Sequence, residues 1–383
     1  MMIPLSVPNI KGNEIKYVTD ALESEWVSSA GSYIVDFEKK IAEYLKVSSA
    51  VACQSGTAGL HLSMRVAGIT QNDEVLAPTL TFIAAINPIK YLNAHPVFID
   101  CDESLCINPI SIEEFIDQNC TFTEDRKLIN NLTNRQIKAI VAVHVFGNIC
   151  DMEKLVEIAK KYNLKLIEDA TEALGSYFTS GPYKGKYAGT IGDFGVFSFN
   201  GNKIITTGGG GMIVAKNETE LAKIKSLSTQ SKSDEIFFDH DDIGYNYRMT
   251  NIQAAIGLAQ LEQLEKFIEV KKRNFELYKE ELKESKYSLM DFRDDIRPNY
   301  WFYSLNIKNS GFDTKEIIES LSKKSIQARP IWKLIHTLKP YENENAFSIN
   351  FANKFLKEII NIPCSSNLSE ENVRKVSETL KGL

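Results

Sequence analysis

The chain has 383 residues, 43% hydrophobic and 25% charged, which is an ordinary globular balance with length for one large domain and a smaller one. A formal charge of −6 leaves no basic footprint for nucleic acid. No apolar run is long enough to cross a membrane, and the opening MMIPLSVPNIKGNE lacks a secretory pattern, so a cytoplasmic protein is expected.

From residue 49 short apolar strands alternate with helical stretches. Strands are expected at 49–53, 74–77, 96–100, 137–146 and 164–169, with helices at 56–66, 82–92 and 152–162. That alternation predicts an α/β domain with a mainly parallel central sheet flanked by helices, and reactive groups at the carboxyl ends of its strands. The polar stretch 120–136 reads as an inserted surface loop or weak hairpin, and TSGPYKGKYAGT (179–190) as a mobile loop. A long helical pattern covers 250–282. Beyond it, strands at 300–307 and 326–329 with helices at 314–323, 350–358 and the C-terminus predict a smaller α+β unit. The division is drawn as 1–260 and 261–383, with the N-terminal segment free to pack on the smaller unit. The cysteines at 53, 101, 106, 120, 150 and 364 form no CxxC pair and no zinc spacing, so free thiols and no metal site are expected.

Three loops can carry chemistry. Ser55-Gly56-Thr57-Ala58 is a small-residue turn opening a helix; it serves as a plain N-cap or as a nest of N–H groups for a phosphate. Asp169 ends an apolar strand, where it either caps a helix or presents a carboxylate to a ligand. Lys203 follows the apolar stretch Phe197-Ser198-Phe199 and precedes four glycines, 208–211, a setting for a half-buried amine rather than a solvated one. Burial favours the neutral amine, the form that attacks carbonyls. The glycine run is neither GxGxxG nor a P-loop. Together these loops offer what pyridoxal phosphate (PLP) needs: a Schiff-base lysine, an acid for the pyridine nitrogen and an anion nest.

The motifs GTAGLHLSMRVAGI, PTLTFIAAINPI, PVFIDCD, HVFGN, LIEDATEALGS, GDFGVFSFNGNKIITTGGGGMI, IGYNYRMTNIQAAIGLAQLE and RPIWKLIHTLKPY stand in this order over almost the full length. In them the chain resembles the DegT-type sugar-nucleotide aminotransferases, PLP enzymes of fold type I. The resemblance implies that Lys203 is the Schiff-base lysine and that Asp169 pairs with the pyridinium nitrogen. It implies that Gly56, Thr57 and Ser198 hold the phosphate, that Phe82 stacks on the ring, and that Asn246 reaches the cofactor of a neighbouring subunit in a homodimer with shared sites. Glu172 stands where the family often has Gln or His, close to the cofactor's ring oxygen.

The resemblance further implies transfer of the L-glutamate amino group to a nucleotide-linked keto sugar. The cues PLSVPNIKGNE, EWVSSAG and KGKYAGTIGD point first to C4 of a UDP-linked 4-keto-6-deoxy-N-acetylglucosamine. GDP-perosamine-type and dTDP-sugar enzymes are the alternatives, and a non-enzymatic PLP-binding regulator is the alternative of another class. Candidates for the sugar nucleotide are Lys184, Lys186, Arg329, Trp332 and His336, each weighed against an ordinary surface or packing role.

Overall fold

The computed structural model describes residues 2–234 and 236–383. Seven strands build the main sheet: β1 (Val51–Cys53), β2 (Glu74–Pro78), β3 (His95–Ile99), β4 (Arg135–Val143), β5 (Lys165–Asp169), β6 (Phe194–Ser198) and β7 (Gly211–Ala215). Their order is β1-β7-β6-β5-β4-β2-β3; β7 is antiparallel to both neighbours and the pairs from β6 to β3 are parallel. A short strand, Ala346–Phe347, adds to β3 in parallel. The strand cores are continuous apolar runs such as Ala139–Val143, all buried, because helices cover both faces of a parallel sheet. The fold is thus the mixed, mostly parallel α/β sheet expected of fold type I.

The helices follow from local rules. Met152–Tyr162 buries Leu155, Ile158, Ala159 and Tyr162 at helical spacing, starts on an Asp151 side chain that accepts from the Lys154 N–H, and ends on Asn163 in the left-handed region. Two expected helices are broken. In 82–92 a short 3₁₀ turn, Ile83–Ala85, precedes Asn87–Tyr91, because Pro88 has no N–H to continue a helix and is suited to restarting one. The pattern at 250–282 divides into Asn251–Leu261 and Leu264–Leu282 around Glu262-Gln263, so the division drawn after residue 260 falls in the last turn before that break.

The stretch 120–136 is a hairpin. Cys120–Phe122 pairs with Leu128–Asn130, which in turn pairs with the start of β4 and widens the main sheet. A second sheet is antiparallel throughout, in the order Ser288–Leu289, Tyr303–Asn306, Ile359–Ile362, Arg329–Pro330. The N-terminal segment lies against it: the Ile3 N–H donates to Ser325, the Gln327 N–H donates to Ile3, and the Cys364 N–H donates to Leu5. Among the described residues no helix is long and apolar enough to cross a membrane.

Register brings one edge of the main sheet together. Val143 lies opposite Asp169, Ser198 opposite Gly211, and Gly211 opposite Cys53. The carboxyl ends of β1, β4, β5 and β6 and the amino end of β7 therefore meet along a single edge, where open α/β sheets place their ligands.

Candidate active site

A cleft of about 410 Å³ opens at that edge. Gly56, Thr57, Phe82, Asp169, Glu172, Ser198, Lys203 and Trp332, expected from the sequence, all line it.

The anion nest comes first. Ser55 caps the Gly56–Val66 helix, its Oγ accepting from the Ala58 N–H at 3.1 Å. The Gly56 and Thr57 N–H groups lie in the first turn, where no intrahelical acceptor exists, and the helix dipole adds partial positive charge. Ser198, at the end of β6, packs so closely on this turn that a Cβ at Gly56 would sit 3.0 Å from Ser198 Cβ and 2.9 Å from Thr171 Cγ2. Gly211 is held to glycine by the same crowding, since a Cβ there would lie 2.7 Å from the Ser55 carbonyl carbon. Two N–H groups and a hydroxyl thus converge on one spot, the donor set a phosphate monoester requires.

Asp169 is buried at the end of β5. Its Oδ1 accepts from the Thr171 N–H at 3.0 Å, and among the described residues no cation lies within ion-pair distance of it. Burial pushes its carboxyl above the usual range, against the pull of the Thr171 bonds and of Lys203 and His144. A buried carboxylate without a counterion is a socket for a cation carried by a ligand. A protonated ring nitrogen, with the phosphate in the nest and the carbonyl at Lys203, satisfies all three parts at once, so the residues fit PLP.

Lys203 is the amine of the cleft. Its Nζ lies 3.6 Å from Glu172 Oε1 and 4.2 Å from the centroid of the Trp301 ring. Trp301 also fixes the backbone beside it, its Nε1–H donating to the Asn202 carbonyl at 2.7 Å. Glu172 is buried, and its Oε2 accepts from the Phe146 N–H at 2.9 Å. Phe146 takes a left-handed conformation (φ 56°, ψ 18°) to aim that N–H, a strained geometry of the kind that gathers at functional sites. Phe146 packs in turn against Trp332, with ring centroids 4.6 Å apart and planes tilted by 33°.

Trp301, Phe146 and Glu168 fall within expected strands and motifs but have no site role expected of them from the sequence. Glu168, fully buried beside Asp169, accepts from the Gly189, Ile191 and Gly192 N–H groups and from His144 Nε2 at 2.8 Å. His144 Nδ1 accepts from the Cys150 N–H, so the ring proton is on Nε2. Glu168 thereby pins the end of the 179–190 segment, whose composition is that of a mobile loop. The Glu-Asp pair at the end of an apolar strand was the available signal for it.

Five expected residues lie elsewhere. Lys184 and Lys186 are exposed and do not line the cleft of their own chain; Lys186 lines a depression with Lys46, Asp193 and Lys216 at the opposite edge of the sheet. Arg329 is exposed. His336 is half-buried with Nδ1 2.6 Å from Thr79 Oγ1, and burial lowers its pKa. Asn246 is exposed outside the cleft, its Oδ1 accepting from Arg248 Nε.

The profile of the DegT/DnrJ/EryC1/StrS aminotransferase family matches residues 8–381. The chain belongs to that family. It is 40% identical over 386 residues to the GDP-perosamine synthase of Escherichia coli O157:H7, covering 99% of this chain and 97% of the relative. It is 30% identical over 384 residues to the UDP-4-amino-4,6-dideoxy-N-acetyl-beta-L-altrosamine transaminase of Campylobacter jejuni, covering 99% and 96%. The PLP form of the putative sugar aminotransferase Spr1654 from Streptococcus pneumoniae superposes with a TM-score of 0.86 at 25% identity, over 100% of this chain and 98% of that one. This aminotransferase is therefore a PLP-dependent enzyme of nucleotide-sugar amination, and a purely regulatory reading falls away.

Proposed function

We propose that this aminotransferase moves the amino group of L-glutamate to C4 of a nucleotide-linked 4-keto-6-deoxy sugar. The observation that carries the reading is Lys203 Nζ, set in a half-closed cleft beside a buried, unpaired Asp169 and the Gly56-Thr57-Ser198 nest. Bound PLP supplies an electron sink for the pair left on carbon when a proton is removed. Lys203 would hold the cofactor's carbonyl carbon through Nζ, and its free amine would carry the proton taken from the glutamate Cα. In the second half-reaction Lys203 delivers a proton to sugar C4. Asp169 would keep the ring nitrogen protonated, Gly56, Thr57 and Ser198 would hold the phosphate, and Phe82, which lines the cleft, would stack on the ring.

For the nucleotide, GDP moves ahead of the UDP-linked N-acetyl sugar favoured by the sequence cues. The supporting observation is the 40% identity to a GDP-perosamine synthase against 30% to a transaminase named for a UDP sugar. Trp332, on the cleft wall, and Arg329, close to it in sequence, are the candidates for the sugar nucleotide within one chain. Lys184 and Lys186 serve only where a second copy brings them to the cleft. A panel of GDP-, UDP- and dTDP-linked 4-keto and 3-keto sugars, each with glutamate, tests this. The GDP 4-keto-6-deoxy sugar is expected to give the highest kcat/KM by 2-oxoglutarate release, with a C4 amine by NMR. A higher value for the UDP N-acetyl sugar reverses the order, and no release with any keto sugar removes the reading.

Asn246 belongs to this proposal as a residue acting in trans, because it is exposed and outside its own cleft. Mixing Lys203→Ala and Asn246→Ala chains under conditions of subunit exchange is expected to restore part of the activity through one intact hybrid site. Exchange without recovery counts against shared sites and the homodimer.

A further inference from the structure

Lys203 has an ionisable neighbour for which the proposed function gives no role. Glu172 Oε2 is tied to the Phe146 N–H at 2.9 Å, and that bond fixes the carboxyl so that Oε1 is the oxygen facing Lys203 Nζ, 3.6 Å away. The loop bearing Glu172 is itself held. Asn299 Nδ2 donates to the Glu172 carbonyl at 2.9 Å, and Asn299 Oδ1 accepts from the Trp301 N–H at 2.9 Å. One buried asparagine therefore couples the backbone of Glu172 to the backbone of Trp301, whose ring centroid lies 4.2 Å from Lys203 Nζ. The spacing is an ion-pair distance rather than a hydrogen bond, and a small torsional change in the four-carbon lysine stem closes it.

An ammonium has no lone pair and attacks nothing. At neutral pH a solvated lysine is found as the ammonium about 10³ times more often than as the free amine. Something must take that proton where the Lys203 side chain is only 12% exposed and that of Glu172 only 4%. We propose that Glu172 is the proton partner of Lys203, its Oε1 accepting the proton that Nζ sheds before attacking a carbonyl carbon and returning it to the departing carbonyl oxygen. The proposal rests on Lys203 being the Schiff-base lysine.

The protons balance. Nζ passes one to Oε1, leaving a neutral amine and a neutral carboxyl. The amine forms a C–N bond to the carbonyl carbon. The carbonyl oxygen leaves as water with one proton from Nζ and one from Oε1. The nitrogen keeps the third, and the carboxylate is restored. A carboxyl suited to both tasks titrates near the working pH. Burial pushes Glu172 up to about 7, against the pull of Lys203 and the Phe146 N–H and with a further push from Asp169. The charged groups facing it are Lys203, from the segment after β6, and Asp169, from β5, with His144 after β4 acting on Asp169. The Phe146 N–H, the Asn299 amide and the Trp301 indole carry no proton that titrates in this range.

The test follows the near-visible band that forms when PLP is added to the cofactor-free full-length protein, measured as a rate from pH 5.5 to 9. In the native chain the rate is expected to rise through a midpoint near the Glu172 value of about 7. Glu172→Gln keeps an acceptor for the Phe146 N–H and loses the proton site. It is expected to lose that midpoint, moving the rise to higher pH, with a rate at pH 7 lower by on the order of 10²-fold. Glu172→Asp keeps a carboxyl one methylene shorter, and is expected to retain a neutral-range midpoint at a reduced rate. A Gln variant with the native profile overturns the proposal, as does an Asp variant whose profile matches that of the Gln variant. Lys203→Ala separates the two levels: a band that survives in that chain removes the Schiff-base reading itself. A band lost there, beside a Gln variant with the native profile, removes only Glu172.

Discussion

Lys203→Ala is expected to abolish turnover, a loss of at least about 10⁴-fold in kcat, because nucleophile and proton carrier disappear together. No neighbour can substitute. Among the residues that line the cleft, Lys203 carries the only amine. The purified native protein is expected to absorb in the near-visible, with that band erased by borohydride, whereas the alanine chain loaded with PLP lacks the band. Arginine at this position keeps the positive charge beside Glu172 and the contact with the Trp301 face but offers no free amine at any accessible pH. It is therefore expected to be as inactive as alanine, which separates the nucleophile from the charge. Glutamate-dependent release of 2-oxoglutarate is the assay, and a variant that keeps turnover rules out this lysine.

What the sequence could reveal about this site depended on how local each signal was. Asp169 is legible because a strand end and an acid coincide in five consecutive residues. Lys203 is legible because an apolar stretch, a lysine and a glycine run follow in order. The nest at Ser55 to Thr57 is legible as a turn opening a helix, although pattern alone does not separate a cap from a phosphate site. Trp301 is not legible in this way. It bonds the Asn202 carbonyl across 99 residues, and only the return of the chain from the second sheet brings it to the lysine. Phe146 acts through its backbone N–H and its left-handed conformation, which an aromatic residue does not advertise.

The misplaced elements have equally physical reasons. Glu262 and Gln263 are good helix formers, so propensity hides the break that divides 250–282. The 179–190 segment has the composition of a free loop, yet Ala188 and Gly189 are buried because a carboxylate outside the segment, Glu168, collects the N–H groups at its end. Lys184 and Lys186 remain on the exposed part of the same turn, which keeps them out of their own cleft. The order of the seven main strands is a matter of long-range pairing. The α/β alternation predicts parallel neighbours but not the antiparallel β7 between β1 and β6, a strand that rests on Gly211 fitting against Ser55.

Asp169→Asn is expected to lower kcat/KM by about 10²–10³-fold, the usual effect of removing one fixed electrostatic partner from a developing charge. The amide is nearly isosteric and its oxygen can still accept from the Thr171 N–H, so the loss reads the charge rather than the packing. The same substitution is expected to stabilise the cofactor-free protein. The carboxyl is raised in the folded state, chiefly by burial, so the folded chain holds its proton over a pH range in which the unfolded chain has released it. The stability that the group contributes is then fully present below the unfolded pKa and is lost as pH rises through the folded one. Above that window the native chain carries a buried, unpaired carboxylate, and the asparagine chain does not. Thermal unfolding of the two cofactor-free proteins is therefore expected to diverge as pH rises, with asparagine the more stable. If Asp169 is the socket for the ring nitrogen, the gap should narrow when PLP is bound, because the protonated nitrogen would pair with the carboxylate and would find no such charge on an amide. If the cofactor-free native protein is the more stable at neutral pH, Asp169 is paired within the chain and is not the socket for the ring nitrogen.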